Sequence, residues 1–116
     1  MKNRPFPQRL GFAIGGLREC WRTEANFRIQ ILLGILALLA LLVIRPAPVW
    51  WGLVGLVSML VLALEAINSA FERLIDHLHP DLHPEIGFIK DLAAGGVLLI
   101  SIGALIIAAA LAATLI

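Results

Sequence analysis

Leu64-Glu65-Ala66-Ile67-Asn68-Ser69-Ala70-Phe71-Glu72-Arg73-Leu74-Ile75-Asp76 decides how this chain is read. It follows an apolar run, Val49 to Leu64, that carries no charge. A helix turns about 100° per residue. Relative to Glu65, Asn68 then lies at about −60°, Ser69 at about +40°, Glu72 at about −20° and Asp76 at about +20°. These polar groups share one face, while Ile67, Ala70, Phe71, Leu74 and Ile75 hold the other. The pattern predicts a polar stripe that begins inside a hydrophobic helix and runs out of it. The uncharged run covers roughly 24 Å, against a hydrocarbon core of about 30 Å. Glu65 therefore falls within the membrane or at its edge. A carboxylate at that depth is expensive and faces a partner, a cavity or a site.

Composition supports a membrane protein. Of 116 residues, 60% are hydrophobic and 15% are charged, and the mean hydropathy is +0.95. Such a chain does not build a small soluble domain. Every charge except Arg45 lies in residues 2–28 or 65–91. The single cysteine, Cys20, excludes an internal disulfide and a cysteine metal cluster. Gly15-Gly16 and Gly95-Gly96 lack the spacing of a dinucleotide or P-loop fingerprint. No nucleic-acid partner is expected.

Outward from the stretch, the chain divides into one all-α membrane domain over residues 1–116. Residues 7–23 read as an amphipathic surface helix, with Leu10, Ile14, Leu17 and Trp21 along one stripe. Residues 25–44 are the first transmembrane helix, ended by Arg45-Pro46-Ala47-Pro48. Trp50 and Trp51 then mark the interface. Residues 49–78 are the second, too long for a bilayer, so its last turns project into water. His79-Pro80-Asp81-Leu82-His83-Pro84 breaks the chain, and residues 86–115 are the third. Ala93-Ala94-Gly95-Gly96 and Gly103 offer small residues for close helix packing. Cys20 reads as a packed residue. His77, His79 and His83 read as loop residues rather than metal ligands. Eight of nine basic residues lie on the side of the amino terminus, so that side is predicted to be cytoplasmic.

Three polar groups converge at that face: Glu24; Glu65, Asn68, Ser69, Glu72 and Asp76; and Lys90-Asp91. Carboxylates beside an amide and a lysine suit a divalent cation carrying a phosphate, because magnesium takes one or two carboxylates plus substrate phosphates. A further carboxylate suits a base acting on a hydroxyl nucleophile. A transporter would place its polar residues near the bilayer midplane instead. A small non-enzymatic assembly or transporter subunit is thus the alternative.

Glu65-Ala-Ile-Asn68-Ser69-Ala70-Phe-Glu72-Arg-Leu-Ile-Asp76 resembles the signature of the small prokaryotic diacylglycerol kinases, which include undecaprenol kinases. Glu24-Ala-Asn-Phe27-Arg28 and Lys90-Asp91-Leu-Ala-Ala-Gly-Gly-Val97 match the same family in the same order. The resemblance covers roughly Leu10 to Ile106. Phe12 departs from it, standing where some members carry an adenine-contacting tyrosine. The His83-Pro84 and Lys90-Asp91 stretches look more like the undecaprenol-kinase branch. The resemblance implies a multi-pass lipid kinase of the bacterial inner (plasma) membrane, a homotrimer with cytoplasmic sites between subunits. It implies ATP and a membrane lipid, diacylglycerol or undecaprenol, as substrates. By the same resemblance, Glu24 and Glu72 hold the Mg2+ of MgATP and Glu65 is the base toward the lipid hydroxyl. Asp76, Lys90 and Asp91 belong to the nucleotide side, with Asn68 and Ser69 in support.

Overall fold

The computed structural model describes residues 2–116, and all the regular structure among them is helical. The helices are α1 (Phe6–Thr23), α2 (Ala25–Ile44), α3 (Pro48–Leu78) and α4 (Pro84–Ala113). α2, α3 and α4 are long and apolar enough to cross a membrane. α3, with 31 residues, spans about 46 Å. It is the axis of the molecule. Among the described residues, α2 and α4 both pack on it and do not touch each other, and α1 reaches only α2 and α3.

The prolines expected to break the chain also start the next helices. Pro48 and Pro84 take the first helical positions of α3 and α4, where a missing N–H is no loss and φ is already set. The last helix consequently begins at Pro84 rather than at residue 86, and it ends at Ala113 rather than at 115. His83 caps its start: Nδ1 accepts a hydrogen bond from the Glu85 N–H at 3.1 Å. That histidine is a helix cap, not merely a loop residue.

α1 and α2 are separated by one residue. Glu24 is extended, with φ −112° and ψ 108°. Its N–H closes α1 on the Cys20 carbonyl at 2.9 Å, and its carbonyl accepts from the Arg28 N–H at 3.3 Å to open α2. Arg28 also reaches back, donating through Nη1 to the carbonyls of Trp21 (2.9 Å) and Arg22 (3.1 Å). A cationic side chain thereby satisfies carbonyls that α1 leaves unpaired at its end.

The interior is thin. Cys20, Phe27, Leu41, Val57, Val61, Ile75 and Leu111 are its buried apolar members, and no large side chain is fully buried among the described residues. The chain exposes 8556 Å². A compact soluble monomer of 12.6 kDa exposes about 6,200 Å². The excess is apolar: Leu38, Leu39, Leu98, Leu99, Leu105 and Ile106 all face outward. Bilayer and neighbouring helices are the environments that tolerate such a surface. Close packing at the small residues does not occur within the chain. A Cβ at Gly95, Gly96 or Gly103 would meet nothing within 4 Å.

Candidate active site

The polar stripe of α3 points inward. Glu65 and Ser69 are buried, at 5% and 7% exposure, while Ile67 and Leu74 face out at 60% and 54%. Asn68 and Glu72 are half-buried and Asp76 is exposed. Ile75 departs from the expected division, because it is buried although it belongs to the apolar face. At that level Asp76 is exposed and pairs with Lys90 on α4.

Glu65 and Asn68 line a polar pocket of about 350 Å³. Asn26 and Gln30 of α2 and Ser101 of α4 complete its polar wall. The Asn68 Oδ1 is buried with no hydrogen-bond partner among the described residues. A buried acceptor without a partner is costly. Gln30 and Ser101 also line a second space, an open groove of about 530 Å³ between α2 and α4. Its wall is otherwise nearly all apolar, with Ala37, Leu41, Val57, Val61, Ala108 and Leu111. The groove exists because α2 and α4 stand apart on either side of α3. Pocket and groove share residues, so the buried carboxylate opens onto an apolar trough.

The end of α1 lies against the stripe at Ser69. Burial pushes the Cys20 thiol above its ordinary pKa; a hydrogen bond with the Ser69 side chain acts against this, Glu24 adds to it, Arg73 opposes it and Glu65 adds to it. Cys20 therefore packs on the stripe, as its place on the surface helix predicted. Glu24 and Glu72 both stand close enough for their charges to act on Glu65. Glu24 is also held by Arg73, whose Nη2 and Nε donate to Oε1 at 3.0 and 3.3 Å. Glu72 has no hydrogen bond or ion pair among the described residues. Asp91 is exposed and also without such a partner among them.

A family model described as prokaryotic diacylglycerol kinase matches residues 11–112. The chain belongs to the prokaryotic diacylglycerol kinase family. A diacylglycerol kinase of Escherichia coli (strain K12) is 34% identical over 103 residues, covering 83% of this chain and 79% of that protein. A diacylglycerol kinase of Synechocystis sp. is 33% identical over 97 residues. That match covers 83% of this chain but 55% of the relative, so the chain spans about half of that protein's length. An undecaprenol kinase of Bacillus subtilis is 29% identical over 82 residues, covering 71% of this chain and 67% of the relative.

Within this diacylglycerol kinase family chain, the residues suit the magnesium that the resemblance implies. Among the described residues no three His, Cys, Asp or Glu side chains gather to hold a metal alone. Magnesium carried by a nucleotide takes only one or two protein carboxylates, with phosphates and water filling the rest of its shell. Glu72 offers a half-buried carboxylate with no counter-ion among the described residues, and Glu24 a carboxylate with Oε2 unbonded among them. Two such acids near a third repel each other until a cation sits among them.

Four polar residues escaped the sequence reading. Asn26, Gln30 and Ser101 carry no charge and stand in apolar helices, so only their place on the pocket wall reveals them. Arg73 was legible only as a basic residue of the cytoplasmic side. Its neighbour Glu72 held the motif, and nothing local connects residue 73 to residue 24.

Proposed function

We propose that this chain is an ATP-dependent lipid kinase that phosphorylates the hydroxyl of a membrane lipid, diacylglycerol or undecaprenol. The observation that carries the proposal is the buried Glu65 in a polar pocket that opens onto an apolar groove. A lipid alcohol has that shape: one hydroxyl at the head and a hydrocarbon tail. The tail would lie in the α2–α4 groove and the hydroxyl beside Glu65.

The chain's own residues then divide the work. Glu65 takes the proton of the lipid hydroxyl as it attacks the γ-phosphorus of ATP. Asn68 lines the same pocket, where its side-chain N–H groups can donate to the hydroxyl oxygen while Glu65 accepts the hydroxyl hydrogen. Glu24 and Glu72 would hold the Mg2+ of MgATP, which would supply positive charge beside the phosphates. Lys90 and Asp91 stand on the nucleotide side, and Asp76 tethers Lys90 there. No covalent enzyme intermediate is needed, because positioning and charge supply most of the rate in phosphoryl transfer.

The excess of basic residues on the side of the site and the amino terminus supports a cytoplasmic site in a bacterial inner-membrane protein. The exposed apolar surface and uncovered small residues of α4 support a homotrimer in which neighbouring subunits close the sides of each site. The test is transfer of labelled γ-phosphate from ATP to diacylglycerol and to undecaprenol in detergent, with Glu72→Gln as control. The wild-type protein is expected to label at least one lipid and Glu72→Gln neither, with its oligomer unchanged on a sizing column. No labelling of either lipid by wild type overturns the reading. Activity of Glu72→Gln near wild type at ordinary magnesium removes Glu72 from the site.

A further inference from the structure

We propose that Arg73 is a positioning residue of the nucleotide site, which fixes Glu24 so that one carboxylate oxygen is presented to the incoming magnesium. The inference rests on the lipid-kinase reading above and extends it to a residue outside its motif.

Arg73 sits at about +80° from Glu65 on α3, beside Ser69 and away from Asn68. That direction faces the α1–α2 junction. Its guanidinium meets the junction along one edge. Nε and Nη2 both donate to Glu24 Oε1, at 3.3 and 3.0 Å, and Nη2 also donates to Thr23 Oγ1. Thr23 Oγ1 in turn donates to the Glu19 carbonyl at 2.8 Å. The donors balance: Thr23 accepts from Arg73 and gives its one hydrogen to Glu19. Three N–H groups of Arg73 are thus committed to residues 23 and 24, which lie 50 and 49 positions away in sequence.

One consequence follows from this geometry. Both contacts on Glu24 go to Oε1, so Oε2 has no partner among the described residues. A carboxylate held by one oxygen cannot rotate freely, and its second oxygen points at a defined place. Glu24 needs such restraint more than Glu72 does. Glu72 grows from the middle of a helix, whereas Glu24 occupies the single extended residue between α1 and α2. Outer partners of metal-binding carboxylates act in this way, and losing one typically lowers metal affinity by about 10–100-fold. The Arg73 and Glu24 side chains are 50% and 30% exposed. Solvent screening therefore puts the expected effect near the low end of that range.

The test is a double-mutant cycle on the full-length protein, with Arg73→Gln, Glu24→Gln and the pair. The first readout is magnesium-dependent binding of a non-hydrolysable ATP analogue by calorimetry, which needs no turnover. The second is kcat and KM for MgATP. Arg73→Gln is expected to weaken magnesium-dependent binding about tenfold and to raise KM more than it lowers kcat. Arg73→Lys keeps the charge but cannot bridge Thr23 and Glu24 together, so it should fall between Arg73→Gln and wild type. In the Glu24→Gln background, Arg73→Gln should add little, because the residue it positions is gone. Additive losses, or unchanged magnesium dependence in Arg73→Gln, overturn the inference while wild-type phosphotransfer leaves the kinase reading intact. Absence of nucleotide binding by wild type is instead a failure of the kinase reading itself. Thermal melting of each variant identifies a loss caused by unfolding, and there Arg73→Lys decides: binding like wild type by a folded Arg73→Lys also overturns the inference.

Discussion

The two halves of α3 are buried by opposite chemistry. Around Val57 and Val61 the helix meets Leu41 of α2 and Leu111 of α4, and all four side chains are buried and apolar. Further on, the same line of the helix buries Glu65 and Ser69. Apolar burial at the first level costs nothing in a bilayer and gains contact energy. Burying a carboxylate and an unpaired amide oxygen at the second level opposes folding. A helix that needed only to hold α2 and α4 would repeat the first level throughout. The second level is retained because it does something else, and its stability comes from the neighbouring apolar turns.

The largest effect expected from this contrast is on turnover. Glu65→Gln keeps the size and hydrogen-bonding capacity of the side chain but cannot take a proton. It should lower phosphotransfer by about 10²–10⁴-fold with melting temperature held or raised. Phosphotransfer within tenfold of wild type would remove Glu65 from the role of base.

The mirror experiment breaks the apolar half. Val61→Asp places an uncompensated carboxylate one turn deeper than Glu65, with no polar pocket to receive it. It should destabilise the folded protein by about 3 kcal/mol, read as lower yield and lower melting temperature in detergent. If Val61→Asp is tolerated as easily as Glu65, the two levels do not differ and the contrast fails.

The smallest effect concerns Cys20, which joins α1 to the polar half. Burial raises its pKa above the ordinary value of 9.0. The folded thiol holds its proton more tightly than the unfolded one, so the stabilising contribution is complete below 9.0 and is lost as pH rises through the folded value. Maleimide labelling of the folded protein at pH 8 should be several-fold slower than after denaturation. Equal rates would mean that α1 lifts away from Ser69.

Most of the helical architecture was legible because the bilayer enforces long uncharged runs and interrupts them visibly. The runs before Arg45 and after Asp91 can be little else. Proline positions were harder, since one residue both ends a helix and starts the next, and Pro84 moved the start of α4 by two residues. The acids of the site were legible for a related reason. In a chain so poor in charge, a carboxylate stripe on a membrane helix stands out against its neighbours.

What the sequence determined by itself was therefore the membrane class, the stripe of α3 and the convergence of distant acids at one face. Helical periodicity and the cost of charge in hydrocarbon are local rules, and they can be applied residue by residue. Only the tertiary structure decided that the stripe faces inward, that Asn26, Gln30 and Ser101 wall the pocket with Glu65, and that α2 and α4 leave a groove beside it. It alone paired Arg73 with Glu24 and Asp76 with Lys90. Uncharged polar residues look alike in sequence whether they face lipid or a pocket, and an arginine has many carboxylates it could reach. The packing angle and spacing of four helices select among them, and those are properties of the whole fold.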